Sequence, residues 1–240
     1  MRLLIDAGNS RIKWALVSGG EWLRSGDLPT IRADELAQQL DGIRDVQQIW
    51  VSNVAGIAAA HHIRNLRVGP HGQPCFIAAS AAQCGVRNGY AEPAQLGCDR
   101  WAALIAAWHL IGGRCLVVNS GTATTVDALS TRGEFLGGLI LPGVELMRRS
   151  LCDTAADLEP LSGKYATFPQ NTGDAIVSGA IQASCGAIAR QHALLGDAGA
   201  PVILGGGAAG ILRPHLNLPL RLVDNLVLQG LWLIAQEASA

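Results

Sequence analysis

LLIDAGNSRIKWALV, residues 3–17, carries an aliphatic run to Asp6, turns at Gly8 and Asn9, and resumes an apolar run from Ile12. That pattern reads as a β-hairpin. Its turn gathers an acid, a glycine, a hydroxyl and a lysine. Glycine lets backbone N–H groups come close to an anion, and Ser10 and Lys13 add a hydroxyl donor and a positive charge. Asp6, at the strand end, offers oxygen to a hydrated magnesium ion. The turn therefore reads as a phosphate cradle of the hairpin kind. The strand–GxxxxGK[ST]–helix loop is absent from the chain.

VNSGTATTVDAL, residues 118–129, repeats this layout half a chain later, at an offset of 113. Asn119 falls on Asp6, Gly121 on Gly8, Thr122 on Asn9, Ala128 on Ala15 and Leu129 on Leu16. One glycine turn alone reads as a plain hairpin. Two in the same register, both carrying hydroxyls, favour phosphate binding. The repeat predicts an α/β chain of two related halves, 1–113 and 114–240, each running β-β-β-α-β-α-β-α, with a polyphosphate held in a cleft between them.

Further motifs follow in order, and with them the chain resembles the type III pantothenate kinases, of the acetate/sugar-kinase and actin-like ATPase superfamily. The first phosphate motif of that family, D-x-G-N-[ST]-x-x-[KT], matches at Asp6, Gly8, Asn9, Ser10 and Lys13. G-x-D-R-W matches at Gly97, Asp99, Arg100 and Trp101. The second phosphate motif, D-x-G-T-x-x-T, matches at Gly121, Thr122 and Thr125. G-G-x-I-x-P-G matches at Gly137, Gly138, Ile140, Pro142 and Gly143, and N-T-x-x-A-I-x-x-G at Asn171, Thr172, Ala175, Ile176 and Gly179. NLVLQGL, residues 225–231, is also similar to the family's ending. The resemblance implies a duplicated actin-like ATPase (ribonuclease H-like) fold. It implies phosphorylation of pantothenate to 4'-phosphopantothenate by magnesium-ATP, a required monovalent cation (potassium or ammonium), and a homodimer. One position departs: Asn119 stands where the family has an Asp implicated in cation binding. Asparagine keeps a carbonyl oxygen there but brings no negative charge.

A kinase must hold the acceptor hydroxyl in line with the γ-phosphate and take its proton. Asp99 follows an irregular segment near a helix start. On chemistry alone it reads equally as a general base or as a first-turn acid complementing the helix dipole. The resemblance makes it the base. Arg100 offers a charge-assisted fork to a carboxylate or phosphate, and a cation in a first helical turn is otherwise misplaced. By resemblance Tyr90 and Gly97 line the pantothenate pocket, and Thr172 reaches pantothenate across the dimer interface. Thr172 also reads as a helix N-cap. Gly205, Gly206 and Gly207 read as a seat for adenine or as a plain turn.

Composition sets the bounds. The chain has 240 residues, 49% hydrophobic and 15% charged, with a formal net charge of −1. That suits two compact cores and gives no basic patch for nucleic acid. No apolar run approaches the 18 residues of a membrane span, and the opening strand does not read as a signal peptide. The six cysteines form no C-x-x-C pair, and zinc-ligand spacing is missing. They read as reduced thiols of a cytoplasmic protein. Two readings compete with the kinase: a non-catalytic transcription-accessory regulator that kept the fold, and an exopolyphosphate-type hydrolase.

Along the chain, strands are expected at 2–28 (three), 49–54, 75–79, 115–119, 123–129, 134–141 and 202–208. Helices are expected at 33–41, 56–67, 98–111 and 174–194, one opening at Pro142, and one at the C-terminus after 220–225. Residues 82–96 read as a loop and 153–172 as a loop or lid.

Overall fold

A computed structural model describes residues 1–69, 73–154 and 162–239, without the side chains of 152–154. The strands are β1 (Arg2–Ala7), β2 (Arg11–Ser18), β3 (Glu21–Pro29), β4 (Gln48–Asn53), β5 (Cys75–Phe76), β6 (Ala82–Gln83), β7 (Val86–Asn88), β8 (Cys115–Ser120), β9 (Ala123–Leu129), β10 (Glu134–Pro142), β11 (Val202–Gly205) and β12 (Leu220–Leu222). The helices are α1 (Leu36–Gln39), α2 (Ile57–Arg64), α3 (Cys98–Ile111), α4 (Val144–Thr154), α5 (Thr172–Leu194), α6 (Ala209–Leu212) and α7 (Leu226–Glu237). The chain divides into two compact units, Met1–Leu110 with Leu226–Ala240, and Ile111–Asn225. The C-terminal helix α7 thus groups with the first unit.

In the first unit the strand order is β3-β2-β1-β4-β5. β1 pairs antiparallel with β2 and parallel with β4. Side chains alternate across this sheet, as the period of two requires. Leu3 and Ile5 join a core with Ile12, Trp14, Leu36, Val51 and Ile63 on one face. Leu4, Ala15 and Val17 meet Leu228 and Leu231 of α7 on the other. The near-continuous apolar run of β1 follows from burial on both faces. α3 is buried from Arg100 to Ala107, so its composition is apolar nearly all round. Gly230 of α7 sits so close to α3 that a Cβ there would lie 1.9 Å from the Ala102 carbonyl oxygen.

The second unit repeats that topology, with β10-β9-β8-β11-β12 in the places of β3-β2-β1-β4-β5. The duplication is therefore present in the pairing as well as in the sequence, and the fold is a duplicated ATPase-like α/β fold. Leu116, Val118 and Val126 pack with Val177, Ile181 and Ile188 of α5.

Register corrects one part of the repeat. Asp6 pairs with Lys13, whereas Asn119 pairs with Thr125. The second turn is one residue shorter, so β2 and β9 correspond at an offset of 112. Arg11–Val17 and Ala123–Leu129 then show the same order of exposed and buried positions. Ala128 takes the place of Leu16 rather than Ala15, and Leu129 that of Val17.

Other differences are local. The stretch 33–41 is a 3-10 turn, Thr30–Glu35, followed by the single turn α1. The strand expected over 75–79 shortens to two residues. The segment 82–96 contains the β6–β7 hairpin, whose turn residues Cys84 and Gly85 both have positive φ. Side chains with little periodicity hide so short a hairpin. Pro142 ends β10 instead of opening α4, which begins two residues later. Its ring removes a donor at the last residue of the β9–β10 pairing, opposite Ala123. In the second unit both expected helices, α4 and α5, precede β11, which departs from the β-β-β-α-β-α-β-α order expected of each half. Of the expected 153–172 loop, 153–154 end α4 and Thr172 opens α5, 155–161 lie outside the described residues, and 162–171 form no regular element.

Candidate active site

The first hairpin turn closes with the Gly8 N–H donating to the Arg11 carbonyl at 3.0 Å. Thr30, just after β3, clamps it from the side. Its N–H donates to the Ser10 carbonyl at 3.0 Å and its hydroxyl to the Gly8 carbonyl at 2.6 Å. The clamp occupies two carbonyls of the turn. Ser10 and Asn9 are exposed there.

Asp6 ends β1 beside this turn, opposite Lys13. Burial first and the Asp99 charge second push its carboxyl up to about 7, against the opposing pull of Lys13. Asp6, Lys13 and Asp99 therefore form one electrostatic cluster in the first unit. Asp99 stands in the first turn of α3 and accepts from the Arg100 N–H at 2.8 Å. A Cβ at Gly97 would lie 2.7 Å from the Asp99 carboxylate, so only glycine leaves that side open.

Arg100 is 6% exposed, deep for a guanidinium. It donates to the Tyr90 hydroxyl at 3.0 Å, and its Cζ lies 5.7 Å from the Tyr90 ring centroid. Asn88 shapes the loop that carries Tyr90, accepting from the Tyr90 N–H and donating to the Pro93 carbonyl. Tyr90, Gly97, Asp99 and Arg100 are thus brought together on one short stretch of the first unit. Neither Thr30 nor Asn88 was singled out by sequence. The signal for Thr30 was its place directly after a strand-ending proline, shared with Gly143 after Pro142.

The second unit builds its own version. The Gly121 N–H donates to the Ala123 carbonyl at 2.9 Å, and Gly143 N–H to the Thr122 carbonyl at 2.8 Å. Gly143 is the counterpart of Thr30. A Cβ there would lie 2.1 Å from the Gly121 carbonyl oxygen, which explains the glycine after Pro142. Buried hydroxyls of Ser120 and Thr124 bond at 2.9 Å beneath the turn. Asn119 and Thr125 face each other where the first unit has Asp6 and Lys13. The turn Gly205–Gly207 wraps this end of β8. Gly206 has φ +92°, and a Cβ on it would lie 2.3 Å from the Ser120 carbonyl oxygen and 2.6 Å from Asn119 Oδ1. A Cβ on Gly205 would lie 2.9 Å from the Val223 carbonyl oxygen, whereas Gly207 faces open space. Packing accounts for the first two glycines and not for Gly207.

Thr172 is the exposed first residue of α5, and the N-cap is Asn171, whose side chain accepts from the Asp174 N–H at 2.9 Å. Thr172 is thereby free of the capping role. Among the described residues no group of three or more His, Cys, Asp or Glu could hold a metal, and no helix is long and apolar enough to cross a membrane.

Known proteins resemble this chain over nearly its whole length. The family model of type III pantothenate kinases matches residues 2–193. The type III pantothenate kinase of Nitrosospira multiformis is 47% identical, over 99% of this chain and 92% of the relative. That of Aromatoleum aromaticum is also 47% identical, over 100% of both. Among solved structures, a Campylobacter jejuni protein described as a Baf family transcriptional activator matches with TM-score 0.63 at 24% identity, covering 99% of this chain and 98% of that one. A Sinorhizobium meliloti protein described as a 2-dehydro-3-deoxygalactonokinase matches with TM-score 0.57 at 17% identity, covering 99% of each chain. These two likenesses speak to the fold alone. Full-length identity of this order, with the hairpins and the Gly97–Trp101 stretch in place, means that the chain belongs to the type III pantothenate kinase family, which phosphorylates pantothenate with ATP in coenzyme A biosynthesis.

Proposed function

We propose that Asp99 is the general base of the transfer, taking the proton of the pantothenate hydroxyl as it attacks the γ-phosphate. The observation that carries this reading is the pairing of Asp99 with Asp6 beside the first glycine turn, with burial and mutual repulsion acting on Asp6. Gly8, Asn9, Ser10 and Lys13 give donors and one charge to ATP phosphate, and Gly121 and Thr122 give donors from the second hairpin. Arg100 and Tyr90, already bonded to each other, orient the acceptor, with Gly97 leaving room for it. Arg100 presents the fork that a carboxylate such as pantothenate's needs.

Asp6 fits a magnesium ion. Its carboxylate is costly to charge in this setting, and a divalent cation would relieve both burial and the Asp99 repulsion. One protein carboxylate suits magnesium, which keeps most of its waters and takes phosphate oxygens. Bound there, the ion would neutralise charge on the phosphates. A monovalent cation would meet only the neutral carbonyl oxygen of Asn119. Thr172 is read as reaching pantothenate from a second copy of the chain, which makes the enzyme a homodimer. Its exposed hydroxyl and freedom from capping support that reading. Five free cysteines among the described residues suit the reducing cytoplasm. Neither nucleic acid nor membrane is expected as a partner.

An ADP-release assay tests the base. Asp99→Asn lowers pantothenate-dependent turnover by at least about 100-fold while nucleotide binding persists. Turnover within a few-fold of the parent would remove Asp99 from that role.

A further inference from the structure

Ser52 lies beside Asp6 in the parallel β1–β4 register and is fully buried. Its hydroxyl is 3.4 Å from the Sγ of Cys98, the residue directly before Asp99. Cys98 is half-buried at the first position of α3, and the Asn53 backbone also bonds its sulfur. The strand neighbour of one carboxylate is thus bonded to the chain neighbour of the other. Sheet and helix meet here through this side-chain pair and through the Asn53 backbone at the Cys98 sulfur.

We infer that the Ser52–Cys98 pair is a positioning link that sets the spacing between the Asp6 and Asp99 carboxylates for phosphoryl transfer. The inference rests on Asp99 being the base. The two carboxylates come from elements far apart in the sequence, and among the described residues no backbone hydrogen bond ties β1 to α3. Rotating or sliding the first turn of α3 would move the Asp99 carboxylate relative to the bound phosphate. Errors of about 1 Å in such a placement cost on the order of 100-fold in rate.

The second unit supplies the contrast. Gly205 on β11 stands opposite Asn119 as Ser52 stands opposite Asp6. It has no side chain to make such a bond. The link is therefore present where a base must be placed and missing in the sister position.

Thiol chemistry gives the wrong explanation for this cysteine. Burial, with the carboxylates of Asp99 and Asp6 nearby, holds the Cys98 thiol above its ordinary value and keeps it neutral. A neutral S–H is a weak donor to a hydroxyl and a poor nucleophile. Serine can replace it as a hydrogen-bonding partner, and alanine cannot.

The test compares Cys98→Ala, Cys98→Ser and Ser52→Ala in the pantothenate-dependent ADP-release assay, with thermal unfolding and ATP binding read on each. Expected is a kcat about tenfold lower for Cys98→Ala and for Ser52→Ala, with KM for both substrates within about twofold. Cys98→Ser returns kcat to within about twofold of the parent. The Ser52→Ala/Cys98→Ala double variant is no slower than Cys98→Ala, since the Ser52–Cys98 bond is already lost in that single variant. Parent-like kcat in Cys98→Ala, or Cys98→Ser as slow as Cys98→Ala, overturns the inference. If Cys98→Ala does not fold, Ser52→Ala decides: parent-like kcat in that folded variant overturns it. Should Asp99→Asn keep parent turnover, the base assignment itself fails, and that outcome is separate from either result here.

Discussion

Asp6 is the residue whose environment says most about the chemistry. Its carboxyl titrates at 3.8 in an unfolded chain and near 7 in the fold, first from burial and then from Asp99. The folded state binds this proton more tightly, so its contribution to stability is complete below about 4 and is lost as pH rises through about 7. Asp6→Asn should therefore raise the unfolding temperature of the ligand-free protein at pH 8, with the gain vanishing toward pH 4. Magnesium competes with the same proton. Its affinity should climb as pH passes 7, with proton release measurable by calorimetry in buffers of different ionisation heat, and Asp6→Asn should abolish both effects. Asp99→Asn should also bring Asp6 down, moving that pH dependence to lower values. Residue types at Asp6, Lys13 and Asp99 were legible from motif spacing. The proximity of the two acids was not, because they are 93 positions apart and only folding places α3 beside the end of β1.

At the level of elements, two glycine positions make opposite predictions. A methyl at Gly230 would meet the α3 backbone 1.9 Å away. Alanine gains about 1 kcal/mol of helix propensity, but prising two helices apart costs about 3 kcal/mol, so Gly230→Ala should lower stability in denaturant titration. Gly207→Ala meets open space and should leave unfolding unchanged. If adenine lies against that turn, the same variant weakens ATP binding, measured by titration. Equal ATP affinity would place the base elsewhere. The turn at Gly205–Gly207 was visible as three glycines, yet which of them packing needs depends on β8 and on Val223, neither of which is near in sequence. The β6–β7 hairpin escaped sequence reading for a related reason. Two-residue strands carry too few side chains to show a period, and Gln83 is held by Trp101, with Oε1 accepting from the indole N–H at 3.1 Å.

For the whole molecule, the duplication is the governing fact. Both units use one strand order and one antiparallel hairpin opening on a glycine turn. They diverge at the paired position: Asp6 with Lys13 in one, Asn119 with Thr125 in the other. Restoring a charge by Asn119→Asp should lower the potassium concentration for half-maximal activity by at least about tenfold, since one unit charge at short range is worth more than 1.4 kcal/mol. An unchanged potassium titration would take residue 119 out of any cation site. Removing residues 226–240 should unfold the first unit, because Leu228 and Leu231 cover Leu4, Ala15 and Val17. Circular dichroism of the truncated chain checks this. By itself the sequence determined the two hairpins, their order, the helix bearing Asp99 and the family, because glycine turns and apolar periodicity are local signals that short-range sterics and burial enforce. Only the tertiary structure decided that the second turn is a residue shorter, that α7 closes the first unit, and that Ser52 and Cys98 meet. Those facts depend on hydrogen-bond register and on side chains packed from distant parts of the chain, which no local pattern encodes.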